Sequence, residues 1–235
     1  MKNKITKIIV DKLKENANAV DAVQMQKYLK TSMPFYGVKS PILNEIVSEI
    51  KSKFTISNQE EYNAIITHIW EMSHREEKYI SIKLARKWKK YITLDALKVY
   101  EKMIREGEWW DFIDPISQGL IGILLMNSRS EMNIILDKWI DDENLWIRRT
   151  AILAHLKHKE NMDQEKLFNY CLRRAHEKEF FIQKAIGWVL REYSKTEPEI
   201  VFSFIEENDS VLSNLSKREG MKWLNPYRTC ETDHT

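Results

Sequence analysis

The chain has 235 residues, 43% hydrophobic and 31% charged, with a formal net charge of +2 at pH 7. That balance excludes a disordered chain, and a surface for a polyanion can arise only if the basic residues are segregated on one face. With 6 Gly and 5 Pro, the many tight turns of β and α/β folds are not expected; Cys171 and Cys230 are too few for a disulfide framework and fit a reducing compartment.

Taken in order, the opening segment is basic, but Lys7, Asp11, Lys12 and Lys14 interrupt any apolar run. Neither a signal peptide nor a membrane-spanning segment is expected, and a cytoplasmic location follows. Ile42, Leu43, Ile46, Val47 and Ile50 fall on one helix face, with Ser40 as N-cap and Pro41 at the first helical position. Ser57-x-x-Glu60, Thr196-x-x-Glu199 and Ser216-x-x-Glu219 read as capping boxes. The pattern predicts an all-α protein of ten or more helices, joined by short polar turns such as 127–130 and 207–209. No long linker divides it, so residues 1–235 read as one domain, with 226–235 as a loose tail.

An internal repeat is superimposed on this pattern. Tyr79, Trp110, Trp146 and Phe181 each sit near the start of a helical run, at spacings of 31, 36 and 35. Such spacing suits stacked helical pairs of the HEAT type, and a simple bundle with four aromatic helices is the alternative. In a repeat solenoid, equivalent positions line the concave face, which makes Arg149 equivalent to Lys184. Lys184, Trp188 and Arg191 share one helix face, and with Arg148, Arg149 and Trp110 they predict a concave basic groove. Cations interleaved with aromatic rings suit a nucleic-acid backbone. Trp188 also reads as a core residue flanked by two snorkelling cations.

The segment Trp109-Trp110-Asp111-Phe112-Ile113-Asp114 is the other unusual feature. Adjacent residues lie about 100° apart around a helix, so Trp109 and Trp110 do not both face one core; Trp109 is expected to pack and Trp110 to face outward with Asp114. An acid beside an aromatic face suits a cationic ligand. Pro115 leaves two readings open. Asp114 is an N-cap with Pro115 at the first helical position, or the helix begins near Asp111 and the carboxylate is free. His155 and His158 lack a third metal ligand nearby and read as solvated groups beside Lys157 and Lys159. Asp141-Asp142-Glu143 reads as an acidic turn at a helix start, and Cys171 as a small core residue.

Trp109-Trp110-Asp111-x-x-Asp114, together with Trp139-Ile140, Leu145-Trp146-Ile147-Arg148-Arg149 and above all the run from Glu179 to Tyr193, carries a resemblance over most of the chain. The chain resembles the AlkD-type alkylpurine DNA glycosylases, a family of HEAT-like repeat DNA repair proteins. Lesser matches are Gln26 to Lys30, Gly37 to Pro41 and Leu215 to Glu219. The resemblance implies hydrolysis of the N-glycosidic bond of N3- and N7-alkylated purines in double-stranded DNA, leaving an abasic site without a snug base-flipping pocket. It assigns catalysis to Trp110, Asp114 and Trp188, and a phosphate contact to Arg149. Tyr28, Lys39, Ser40, Lys184 and Arg191 are the further DNA-binding candidates. No metal or organic cofactor is called for, and a monomer is expected. An alkylated purine already carries positive charge and leaves unaided, so charge develops on the sugar as an oxocarbenium ion. A carboxylate about 4 Å from it is worth roughly 4 kcal/mol at an effective dielectric near 20, or about three decades in rate. A catalytically silent binder of distorted or branched DNA and a protein-interaction scaffold are the alternative functions.

Overall fold

The computed structural model describes residues 1–224, so the expected tail at 226–235 lies outside the described residues. Fourteen α-helices and no strand are formed among the described residues, a helical-repeat architecture. They fall into two compact units, Met1–Met103 and a second that begins at Ile104.

In the first unit, α1 (Lys2–Glu15) buries Ile5, Ile9 and Leu13, a stripe recurring every fourth residue. α2 (Ala19–Leu29) begins where the Asn18 side chain accepts from the N–H groups of Val20 and Asp21. α3 (Ser40–Lys53) buries Leu43, Ile46, Val47 and Ile50. Its cap position is Lys39, one residue before the expected Ser40, and Pro41 lies in its first turn. α4 (Gln59–Trp70) is capped by Asn58, and the Glu61 carboxylate accepts from Ser57 N–H; the expected Ser57–Glu60 box is therefore displaced by one residue. α5 (Arg75–Lys87) packs on α3 and α4, and α6 (Leu97–Gly107) contains the division between the units.

The loop before α3 is held by a buried carboxylate on α5. Glu76 accepts from the N–H groups of Tyr36, Gly37 and Val38 at 3.1, 2.7 and 3.0 Å. Gly37 is required there. Its φ is +82°, and a Cβ would lie 2.0 Å from the Asn18 carbonyl oxygen.

In the second unit, α7 (Trp110–Ile116), α10 (Leu145–Leu153), α12 (Phe180–Tyr193) and α14 (Asn214–Gly220) form one row, each packed on the next. Between α7 and α10 run α8 (Gly122–Asn127) and α9 (Arg129–Trp139); α11 (Gln164–Arg173) packs on α10, and α13 (Pro198–Glu207) on α12. α13 starts directly at Pro198 with Glu197 at the cap, so Thr196–Glu199 is not a capping box. Ser216 and Glu219 lie inside α14, whose cap is Ser213. α7 passes into a π-helical turn at Ser117–Ile121, where Ser117 Oγ donates to the Ile113 carbonyl at 2.7 Å. The 141–143 turn is tied down by arginines: Asp141 accepts from Arg173 and Arg174, and Asp142 from Arg105. Cys171 is buried.

The two histidines expected in solvent are both buried. His155 is 0% exposed, with its ring edge-on to Tyr170 at 5.6 Å, and His158 shares its Nε2 with the Gly122 carbonyl oxygen at 3.0 Å. The short stretch after α10 turns both rings inward, and the flanking lysines take the solvent. Burial, with the nearby His158 and Arg129 adding to it, pushes the His155 imidazole down to about 3. The unfolded chain takes up a proton below about pH 6.5, while the folded one stays neutral down to about 3. Stability is therefore full above pH 6.5 and falls through that window, by about 2 kcal/mol at pH 5. Urea melts at pH 7 and pH 5 should show that loss, and His155→Phe should abolish most of it.

Candidate functional site

Four residues on the row of helices share one spacing. Asp114 on α7, Arg149 on α10, Lys184 on α12 and Glu219 on α14 are each 35 residues apart. Each acid reaches the base beside it. Arg149 donates its fork to Asp114, Nε to Oδ1 at 2.9 Å and Nη2 to Oδ2 at 3.0 Å, and Lys184 Nζ lies 3.0 Å from Glu219. These side chains and Trp110, Phe180, Phe181, Trp188 and Arg191 line one cavity of about 420 Å³.

Neither reading of Asp114 describes it fully. The helix begins at Trp110, with Trp109 extended at the cap, and carries Pro115 inside it, so Asp114 is not an N-cap. Nor is its carboxylate free, because both oxygens face Arg149. Burial pushes the Asp114 carboxyl up from the ordinary range, and the paired guanidinium only partly offsets it.

Arg149, expected at a phosphate, lines the cavity with little of its side chain exposed. It is 4% exposed, and its third contact goes from Nη1 to the Phe181 carbonyl oxygen. The reason is its position on the inner turn of α10, between α7 and α12. A rigid fork is suited to holding a carboxylate in one orientation.

The tryptophans divide the work between packing and lining. Trp109 packs against Trp146 and Phe181, with ring centroids 6.1 and 5.5 Å away, and Trp110 lines the cavity. The aromatic register therefore runs through Trp109, Trp146 and Phe181, not through Trp110. Trp188 is half-buried and lines the same cavity, so it is not a core residue. Arg191 lies 2.6 Å from Glu219.

The remaining candidates are in the first unit. Tyr28 on α2 is 74% exposed, Lys39 pairs with Asp21 at 3.0 Å, and Ser40 Oγ accepts from Lys83. Glu219 lines the cavity but is not among the site residues expected from the sequence. The step of 35 from 114 to 149 to 184 was the available signal. Among the described residues, no group of three or more His, Cys, Asp or Glu is placed to hold a metal ion. No described helix is long and apolar enough to cross a membrane.

A family model described as DNA alkylation repair enzyme matches residues 9–224. The chain belongs to the DNA alkylation repair enzyme family. A solved structure described as a predicted DNA alkylation repair enzyme from Enterococcus faecalis is 30% identical, with a TM-score of 0.81 over 89% of this chain and 97% of that one. AlkD2 from Streptococcus mutans has a TM-score of 0.61 at 13% identity, covering 86% of this chain and 96% of its own. A further Streptococcus mutans protein, smu.31, has 0.59 at 15%, covering 85% and 98%. At those identities the two S. mutans likenesses speak to the fold alone. No curated protein matches the chain.

Within this member of the family, the Asp114–Arg149 pair should behave as one unit. Removing either charge strands the other in a buried place and should cost about 3–5 kcal/mol. Denaturant melts of Asp114→Asn, Arg149→Met and the double variant should give a double-variant loss well below the sum of the single losses.

Proposed function

We propose that the protein is a monofunctional DNA glycosylase that hydrolyses the N-glycosidic bond of N3- and N7-alkylated purines, such as 3-methyladenine and 7-methylguanine, in double-stranded DNA. The observation that carries this reading is the Asp114 carboxylate, fixed by the Arg149 fork in a cavity walled by Trp110 and Trp188. The positively charged base leaves with the bonding electron pair and becomes neutral. The deoxyribose is left as an oxocarbenium ion. Asp114 faces that charge, and the two indole faces add cation–π attraction. Water then adds at C1′, passing its proton to Asp114 or solvent, and an abasic site remains. Because Arg149 sets the carboxylate before substrate arrives, no reorganisation is needed as the charge develops.

Backbone phosphates fall to Lys184 and Arg191 at the cavity rim, and Tyr28, Lys39 and Ser40 supply further DNA contacts from the first unit. Lys184 is ion-paired with Glu219, and no lysine is called on as a nucleophile. Strand cleavage by the protein itself is therefore not expected. The protein works as a monomer in the cytoplasm, associated with DNA, and its chemistry calls on no cofactor.

Release of 7-methylguanine and 3-methyladenine from methylated DNA tests the reading. Asp114→Asn should lose roughly two to three decades in single-turnover rate, on the scale of one charge–charge contact, and Trp110→Ala should be slowed as well. An Asp114→Asn protein of undiminished activity would sink the role given to that residue. DNA binding without base release would point instead to a silent binder. The reaction needs the ionised carboxylate, and the Asp114 carboxyl is raised. The acid limb of single-turnover rate against pH should therefore lie above the ordinary aspartate range of about 3.9 and should disappear in Asp114→Asn.

A further inference from the structure

Glu219 is the least exposed acid facing the cavity, at 6%, and it gathers three cations. Its carboxylate accepts from Lys184 at 3.0 Å, from Arg191 at 2.6 Å and from Lys222 at 2.8 Å. Lys184 and Arg191 are on α12 and flank Trp188; Lys222 comes from the 3₁₀ turn after α14. The group sums to +2, held around one buried anchor. Lys222 and Lys184 keep the Glu219 carboxyl down at about 2, so the anchor stays charged at any working pH.

The packing that brings Glu219 there depends on Gly187. A Cβ at 187 would lie 2.5 Å from the Glu219 Cβ and 2.9 Å from the Ser216 carbonyl oxygen. The missing side chain lets α14 lie directly against α12, and Ser216 Oγ donates to the Gln183 carbonyl at 2.9 Å, fixing the register. An acid at this place lowers the positive charge of a surface meant for DNA. Its compensation is order, since long cationic side chains lose substantial rotamer freedom when a ligand immobilises them.

We propose that Glu219 is a positioning residue that assembles Lys184, Arg191 and Lys222 into one phosphate-binding site for the DNA backbone beside the cavity. This rests on the DNA reading above and adds Glu219 and Lys222 to it. The competing role is a tie between α12 and α14 with no part in binding, and the two differ in the sign of one measurement. Removing a negative charge from a DNA-facing surface should by itself tighten binding. Loss of the anchor should weaken it.

The test is fluorescence-anisotropy titration of a duplex with a central tetrahydrofuran abasic analogue, across a salt series. Glu219→Gln, with helix content checked by circular dichroism, should bind about three- to ten-fold more weakly, in line with the loss of preorganisation. Glu219→Asp should recover part of that loss. Glu192→Gln, on the same helix but, among the described residues, ion-paired only with Lys195, should bind as the parent does or more tightly. Lys222→Met, at a half-exposed position that does not threaten folding, should lower the slope of log K against log salt by about one. Equal or tighter binding by a folded Glu219→Gln overturns the proposal. If Glu219→Gln does not fold, an unchanged slope in Lys222→Met overturns it. A parent that binds with a steep salt slope but releases no base leaves this proposal standing and removes the glycosylase reading. A parent without salt-dependent affinity removes both.

Discussion

The pairing of Asp114 with Arg149 is the interaction on which the second unit's site depends. A buried carboxylate without a partner would take up a proton, and a buried guanidinium without one would be strongly destabilising. Each therefore fixes the other, and both fix α7 against α10. In the glycosylase reading proposed above, the same pair supplies the cavity's chemistry. A carboxylate that is desolvated, ionised and immobile is what a transient cation on a sugar calls for, and free rotation would forfeit much of that advantage.

The fold supplies such pairs by repetition. A step of 35 residues carries the chain from one helix of the row to its neighbour, so residues at equal phase meet across each interface. Asp114 meets Arg149, and Lys184 meets Glu219. The first pair is enclosed and bidentate. The second is opened toward solvent and joined by Arg191 and Lys222, which turns a structural tie into a cationic rim. The aromatic residues follow a related phase: Trp109, Trp146 and Phe181 pack on one another at the starts of successive helices and free Trp110 to line the cavity.

Much of this was legible in the chain itself. The 3.6-residue period gave the helices, the spacing of Trp146 and Phe181 gave the repeat, and the spacing of Lys184, Trp188 and Arg191 put them on one helix face. The tryptophan pair had to divide because neighbouring helical residues diverge. Local signals were weaker at the ends of elements. Three capping boxes were expected, and none is formed as written: Asn58 outcompetes Ser57, Pro198 sets its own start, and Ser216 lies inside a helix that Ser213 begins. Capping depends on where the chain leaves the helix, and packing of the whole element decides that.

The sequence by itself determined the helical class, the repeat length and the residue types that meet at the site, because periodicity and spacing are properties of the chain. Only the tertiary structure decided how those residues pair. His155 and His158 look solvated beside lysines, yet both are buried, because the direction of a short turn is set by what packs on either side of it. Arg149 reads in the sequence as one cation among several near Trp110, and the structure places it between α7 and α12 with its fork on Asp114. Glu219 looks like half of a helix cap, yet it holds three cations, because Gly187 lets two helices approach closely enough for it to reach them. The partners that decide these placements include Gly122 for His158, Asp114 for Arg149 and Lys184 for Glu219, each 35 or 36 residues away in sequence, where no local pattern reports the distance.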